Sequence, residues 1–171
     1  MIHLIVYHPE IPQNVGNMVR TCAATGTKLH LIGPFPFVLS DETLKRAGMD
    51  YMPLTEIAIY SSYEDFELRF PHFIPIYCLT RYGKHTPLDL VAEEVPLDVG
   101  IMVGSESTGI PRTVLQQHPD HTLRLPMKPF ARSLNVANTA ANLVYEFLRL
   151  RQYEGLATHE VLKGADYEGN E

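Results

Sequence analysis

Three groups of residues carry side chains suited to chemistry, and each follows or precedes a hydrophobic run. Asn14, Asn17 and Arg20 recur at intervals of three, which places them on one side of any helix that contains them, pointing toward whatever lies beyond the preceding strand. Gly104, Glu106 and Gly109 belong to GSESTG, directly after the apolar VGIMV. Arg132, Ser133 and Asn135 crowd in front of the strongest helical pattern in the chain, where a helix N-terminus favours an anion or polar ligand. A permanently charged guanidinium, amides, a hydroxyl and a carboxylate suit positioning and electrostatic stabilisation. A hydrolase's nucleophile and base are not indicated, since no GxSxG elbow is present.

GSESTG is not a nucleotide-hydrolase loop, because Ile110 and Pro111 stand where a phosphate loop has its lysine and hydroxyl. Nor does the first strand lead into GxGxxG. Gly104 and Gly109 permit close approach of backbone to a ligand, and equally serve a plain strand-to-helix turn. Glu106 has two readings, a cap for the next helix or a group facing a ligand. The eight histidines are scattered, and HPDH lacks the helical setting and further ligands of a metal centre, so no metal is expected. Cys22 and Cys78 have no CxxC spacing and read as buried reduced thiols.

These residues need elements to position them. Apolar runs predict strands over 2–7, 28–33, 56–61, 73–79, 99–104 and 121–126. Pro75 suggests an edge or irregular start for the fourth. Helices are predicted from about residue 14 to Gly26, over 41–48, over 62–70, after Pro111, and from near Asn135 to Leu150. In the last, Val136, Ala140, Leu143, Val144, Phe147 and Leu150 recur at three and four, and Ser133 or Asn135 can cap it. Ala137, Ala140 and Ala141 leave little bulk there, so another backbone can pack close, from the same subunit or a partner. Strands alternating with helices predict an α/β fold with a mostly parallel sheet and helices on both faces. Ligands in such sheets bind beyond the carboxyl ends of strands, which places a pocket at Leu79 and Thr80, at residues 104–109, and at residues 125–127.

The length of 171 residues fits one domain, expected over 1–155, followed by an acidic tail over 156–171, expected to be poorly ordered. The formal net charge of −6 argues against sequence-blind nucleic-acid binding. Between Gly104 and Tyr153, however, Arg112, Arg124, Lys128, Arg132, Arg149 and Arg151 outnumber Glu106, Asp120 and Glu146. No apolar run reaches a membrane span and no signal peptide is visible, so a cytoplasmic protein without membrane association is expected.

PEIPQNVGNMVRTCAATG, MVGSESTGIP and LPMKPFARSLNVANTAANLVYE, in that order, resemble the three signature motifs of the SPOUT superfamily of RNA ribose 2′-O-methyltransferases. The likeness runs to about Tyr153 and is strongest to the small single-domain tRNA (cytidine/uridine) 2′-O-methyltransferases that act on the wobble nucleotide. It implies a deep C-terminal trefoil knot, S-adenosylmethionine as methyl donor, a tRNA substrate and a homodimer. Family cofactor positions fall on Leu79, Thr80, Gly104, Glu106, Leu125, Met127, Ser133 and Leu134. Arg20 matches the arginine assigned to catalysis, acting as stabiliser of the developing alkoxide, phosphate guide or base. Asn14, Asn17, Ser133 and Asn135 match polar positions near the reacting groups. Ala137 departs from the serine common in relatives. Another tRNA or ribosomal RNA site, or a non-catalytic RNA-binding homodimer, are the alternatives.

Overall fold

The computed structural model describes residues 1–38, 55–131 and 133–161. The helix expected over 41–48, Arg132 and most of the expected tail lie outside the described residues. Among those described, the chain runs β1 (Ile2–Tyr7), α1 (Pro12–Thr25), β2 (Lys28–Ile32), β3 (Ile57–Tyr60), α2 (Tyr63–Arg69), β4 (Ile76–Leu79), a 3-10 turn (Pro87–Asp89), β5 (Val99–Val103), α3 (Arg112–Leu115), β6 (Thr122–Leu123) and α4 (Val136–Leu150).

The six strands form one parallel sheet in the order β3-β2-β1-β5-β4-β6. The chain builds outward from β1 on one side and then crosses to the other. β1 and β5 are therefore neighbours at the centre, with Val6 opposite Val103, and their carboxyl ends open side by side. A crevice at such a reversal is where an open α/β sheet binds ligands.

Both faces of the sheet are covered, which is why β1 and β5 read as continuous apolar runs rather than alternating ones. Leu4, Val6, Leu29, Leu31, Ile101 and Val103 face α1 and α4, whose Val15, Met18, Val19, Leu143, Val144 and Phe147 complete one cluster. Ile5, Ile32, Cys78 and Met102 face the opposite way, into a second cluster with Phe66, Phe70, Ile110 and Val114 from the region of α2 and α3. Both thiols are buried and free, and burial pushes each up to about 12, so they are inert core groups.

The ends of α1 and α4 are set by local chemistry. Pro12 opens α1 at a position where the missing N–H is no loss, and Gly26, at φ 66°, closes it with its N–H on the Cys22 carbonyl. Asn135 caps α4, its side-chain oxygen accepting from the N–H of Ala137 and Asn138.

Three sequence expectations gain detail. β4 lies between β5 and β6, so Pro75 does not mark an edge. It precedes the first paired residue and contributes its carbonyl, which accepts from Gly100 N–H at 2.9 Å, so the absent donor is not needed. β6 pairs with β4 over two residues only, because the backbone then bonds on its other side, Arg124 N–H donating to the His85 carbonyl at 2.8 Å. Of the alanines of α4, Ala137 and Ala140 are buried in the cluster shared with α1, and Ala141 is half-buried.

Candidate active site

A cavity of about 700 Å³ opens beyond the carboxyl ends of β4, β5 and β6, within the size range of small-molecule sites. Its wall is made of three loops and the start of α4. Leu79, Thr80, Arg81 and Tyr82 come from the turn after β4; residues 104–110 from the loop after β5; Arg124, Leu125 and Met127 from the segment after β6. Ser133, Leu134, Asn135, Val136 and Thr139 close one side, and Ile11, just before α1, and Asn14, in its first turn, reach in from the other.

All eight expected cofactor positions, Leu79, Thr80, Gly104, Glu106, Leu125, Met127, Ser133 and Leu134, line this cavity. Of the expected catalytic set, Ser133, Asn135 and Asn14 line it as well. Asn17 and Arg20 do not; both are exposed on α1. Spacing by three put them on one side of the helix, yet the helix axis carries Arg20 roughly 9 Å past Asn14 at 1.5 Å per residue.

A chain of hydrogen bonds joins the three motif regions. The Glu106 carboxylate accepts from the backbone N–H of Glu10 at 2.8 Å and of Ile11 at 3.2 Å, and from the Asn14 side-chain amide at 2.8 Å. Asn14 in turn accepts from the Asn135 amide at 2.9 Å, and Asn135 caps α4. The direction of each amide follows from the network, since a carboxylate only accepts and the capping oxygen must face N–H donors. Glu106 thus caps no following helix; it receives the donors that precede α1, where the positive helix end favours a carboxylate. Asn14 and Asn135 thereby hold the motifs together at the cavity wall.

Glu10 was not singled out by the sequence. Its carboxylate accepts from the N–H of Ser107 at 3.0 Å and from its hydroxyl at 2.5 Å, so Glu10 and Glu106 clasp each other's loops. Glu10 lies in the loop ahead of α1, outside any periodic pattern, and its only signal is its place in PEIPQ. Arg124 was likewise noted only as local basic charge. Its guanidinium donates to the Arg81 carbonyl and ties the first and third loops.

Gly104 is required by the turn itself. A Cβ there would collide with the Gly109 carbonyl carbon and the Ile110 nitrogen, so the GSESTG turn folds onto its own first residue. Gly109 itself, at φ 71°, sits in the left-handed region. Ser105 and Thr108 hydroxyls are 2.7 Å apart inside the turn, and Gly109 N–H closes it on the Ser105 carbonyl. Among the described residues no group of three or more His, Cys, Asp or Glu could hold a metal ion.

Residues 1–145 match the SpoU rRNA Methylase family. A tRNA (cytidine(34)-2′-O)-methyltransferase of Methylovorus glucosotrophus is 38% identical over 156 residues, covering 91% of this chain and 99% of that one. A solved protein from Bacillus anthracis is 42% identical, with a TM-score of 0.84 over 94% of this chain and all of its own. A structure described under 2-OH methylation of C/U34 on tRNA is 37% identical, with a TM-score of 0.82 over 90% of this chain and 98% of that one. The chain belongs to the SpoU methylase family.

Proposed function

We propose that this protein transfers a methyl group from S-adenosylmethionine to the ribose 2′-hydroxyl of the wobble nucleotide in a tRNA anticodon loop. The observation that carries the reading is the convergence of all eight expected cofactor positions on one cavity at the central strand ends. Likeness over nine-tenths of the chain to a protein named for that reaction supports the choice of RNA.

The cavity suits the donor. Leu79, Leu125, Met127 and Leu134 offer apolar surface for an adenine ring, while the backbone of residues 104–110, Thr80 and Ser133 offer polar groups for ribose and amino-acid ends. The bound donor supplies a sulfonium-activated methyl group. What remains for this chain is to align the acceptor oxygen and accommodate its proton. Ser133 is exposed at the cavity wall and free of the capping duty that Asn135 performs, which leaves its hydroxyl for a ligand. Arg20, with Asn17 beside it on α1, is the proposed electrostatic partner of the acceptor; a guanidinium, which keeps its proton, is a poor base. Because Arg20 stands outside the cavity wall of its own chain, this role requires the RNA or a second subunit to bring the acceptor to it.

A homodimer and a trefoil knot complete the reading. The knot is supported by the way residues 121–124 run between the end of β4 and the segment that follows it in the chain. Cys78 and Thr80 donate to carbonyls of residues 121 and 123 on one side, and His85 exchanges bonds with Thr122 and Arg124 on the other. Action in the cytoplasm on tRNA fits a chain in which no described helix is long and apolar enough to cross a membrane.

Radiolabelled S-adenosylmethionine with total tRNA, followed by mapping of the labelled nucleotide, tests the proposal. Label at the wobble ribose is expected. Label confined to another tRNA position or to ribosomal RNA would replace the substrate, and cofactor binding without transfer to any RNA would make the protein a binder.

A further inference from the structure

The turn after β4 carries two large side chains, Arg81 and Tyr82, that stand exposed at the rim of the cavity. Tyr82 is 77% exposed, and the Arg81 guanidinium lies 5.7 Å from its ring centroid, within cation–π range. An exposed aromatic is ordinary on a loose loop, but this turn is held from several directions. Gly83 N–H donates to the Thr80 carbonyl at 3.2 Å, Tyr82 N–H to the Thr80 hydroxyl at 3.3 Å, and Lys84 N–H to the Thr122 hydroxyl at 3.2 Å. A Cβ on Gly83 would collide with the Leu123 carbonyl group, so the turn lies directly against β6. The Arg124 guanidinium donates to the Arg81 carbonyl from the other side.

A fixed turn at a cavity mouth therefore presents a ring face and three exposed cations, Arg81, Lys84 and Arg124, on a chain whose formal net charge is −6. Bulk charge would repel a polyanion, so recognition must be local. An aromatic face beside cations is the arrangement that takes unpaired bases and their phosphates, since every base has a π-face and each phosphate a charge. Fixing the turn in advance lowers the ordering cost of that contact.

We infer that Tyr82 is a stacking platform for an unpaired base of the anticodon loop, flanked by Arg81 as a phosphate contact, so that the turn after β4 grips RNA at the rim of the methyl-donor cavity. This rests on the reading of an RNA substrate above. A base held there anchors the loop next to the cavity mouth while the target ribose enters it.

The test measures binding of an anticodon stem-loop RNA by fluorescence anisotropy, and of S-adenosylmethionine by calorimetry, for Tyr82→Ala, Tyr82→Phe and Arg81→Ala. Tyr82→Ala is expected to weaken RNA binding roughly tenfold or more, and by a larger factor than any change in donor affinity, with RNA binding by Tyr82→Phe near wild type. Arg81→Ala should weaken binding and flatten the dependence of log affinity on log salt by about 0.7 to 0.9. RNA affinity of Tyr82→Ala equal to wild type would overturn the inference, as would a parallel loss of donor affinity, which would give the ring to the adenine side. Absence of methyl transfer by the wild-type protein would sink the enzymatic reading instead, and the anisotropy comparison would still judge Tyr82.

Discussion

The two faces of the sheet are buried with different materials, and only one of them is built around the cavity. On the first, α1 and α4 pack aliphatic and small side chains against Leu4, Val6, Leu29 and Val103. Both helices begin at the cavity, and Asn14 near the start of one bonds Asn135 at the start of the other. On the second, short helices cover an aromatic cluster in which Phe66 and Phe70 stack at 4.8 Å and His30 meets both rings edge-on. Site geometry on the first face depends on loop ends held by polar clasps. The second face contributes burial, and among the described residues reaches the cavity only through Ile110. Polar groups are used on the first face to position the loops and on the second to fill a core.

The largest expected effect breaks the first face's turn. Gly104→Val places its branched side chain where the Gly109 and Ile110 backbone already lies, closer than any Cβ contact tolerates. The loop must open, and S-adenosylmethionine binding and turnover should be abolished while the sheet still unfolds cooperatively. Near-normal donor affinity by calorimetry in the folded variant would show that the turn can move without disturbing the cavity.

Phe66→Ala probes the other face. Phe66 is 1% exposed among Tyr60, Tyr63 and Phe70, and its removal should cost about 3 to 5 kcal/mol in denaturant unfolding. The folded fraction should bind donor with wild-type affinity. A matching fall in donor affinity would mean that the two faces are not separable.

Much of this division was legible in the sequence, and the part that was not has a physical pattern. VGIMVG and IHLIVY announce buried parallel strands because both faces are covered, and the 3-4 spacing from Val136 to Phe147 marks the helix face that is buried. The loops of the cavity are legible too, because each of the three motifs begins within two residues of the carboxyl end of a strand. What periodicity could not give were contacts made across the chain. Glu106 and Glu10 are 96 residues apart and meet only after the sheet brings β1 beside β5. The reason for Gly104 is a fold of its own turn, which a one-dimensional reading assigns as easily to a ligand. Ala137 and Ala140 read as a surface open to either subunit, and their burial against α1 required knowing where α1 lies.

Arg20 sharpens the comparison from within the first face, since it shares α1 with Asn14 but not the cavity wall. If it stabilises the acceptor oxygen, Arg20→Ala and Arg20→Lys should bind donor normally and lose turnover by roughly a hundredfold or more, the scale of a lost transition-state donor. Lysine keeps the charge but not the planar fork. Turnover near wild type at saturating tRNA would leave Arg20 a peripheral contact and move the role to Ser133 or the RNA.

The smallest effect is a slope with pH, and it belongs to the second face. His30 is 3% exposed; its Nε2 lies 2.9 Å from His3 Nδ1 and its Nδ1 lies 2.8 Å from the Tyr60 hydroxyl. Burial pushes its pKa down from 6.5 to about 3, helped by the neighbouring charges of His3 and Lys28. His3 is lowered too, chiefly by burial, against the pull of Asp98. An unfolded chain protonates His30 as pH falls through 6.5, whereas the folded chain keeps it neutral until about 3. The unfolded state therefore binds the extra proton in that window, and stability must fall on acidification by up to about 1.4 kcal/mol per pH unit for this group. Urea unfolding between pH 7.5 and 5 should show that slope, and His30→Gln, which keeps hydrogen-bonding capacity without titrating, should lose most of it whatever its absolute stability. Equal slopes in the two proteins would mean that the buried histidine accepts its proton without leaving the core.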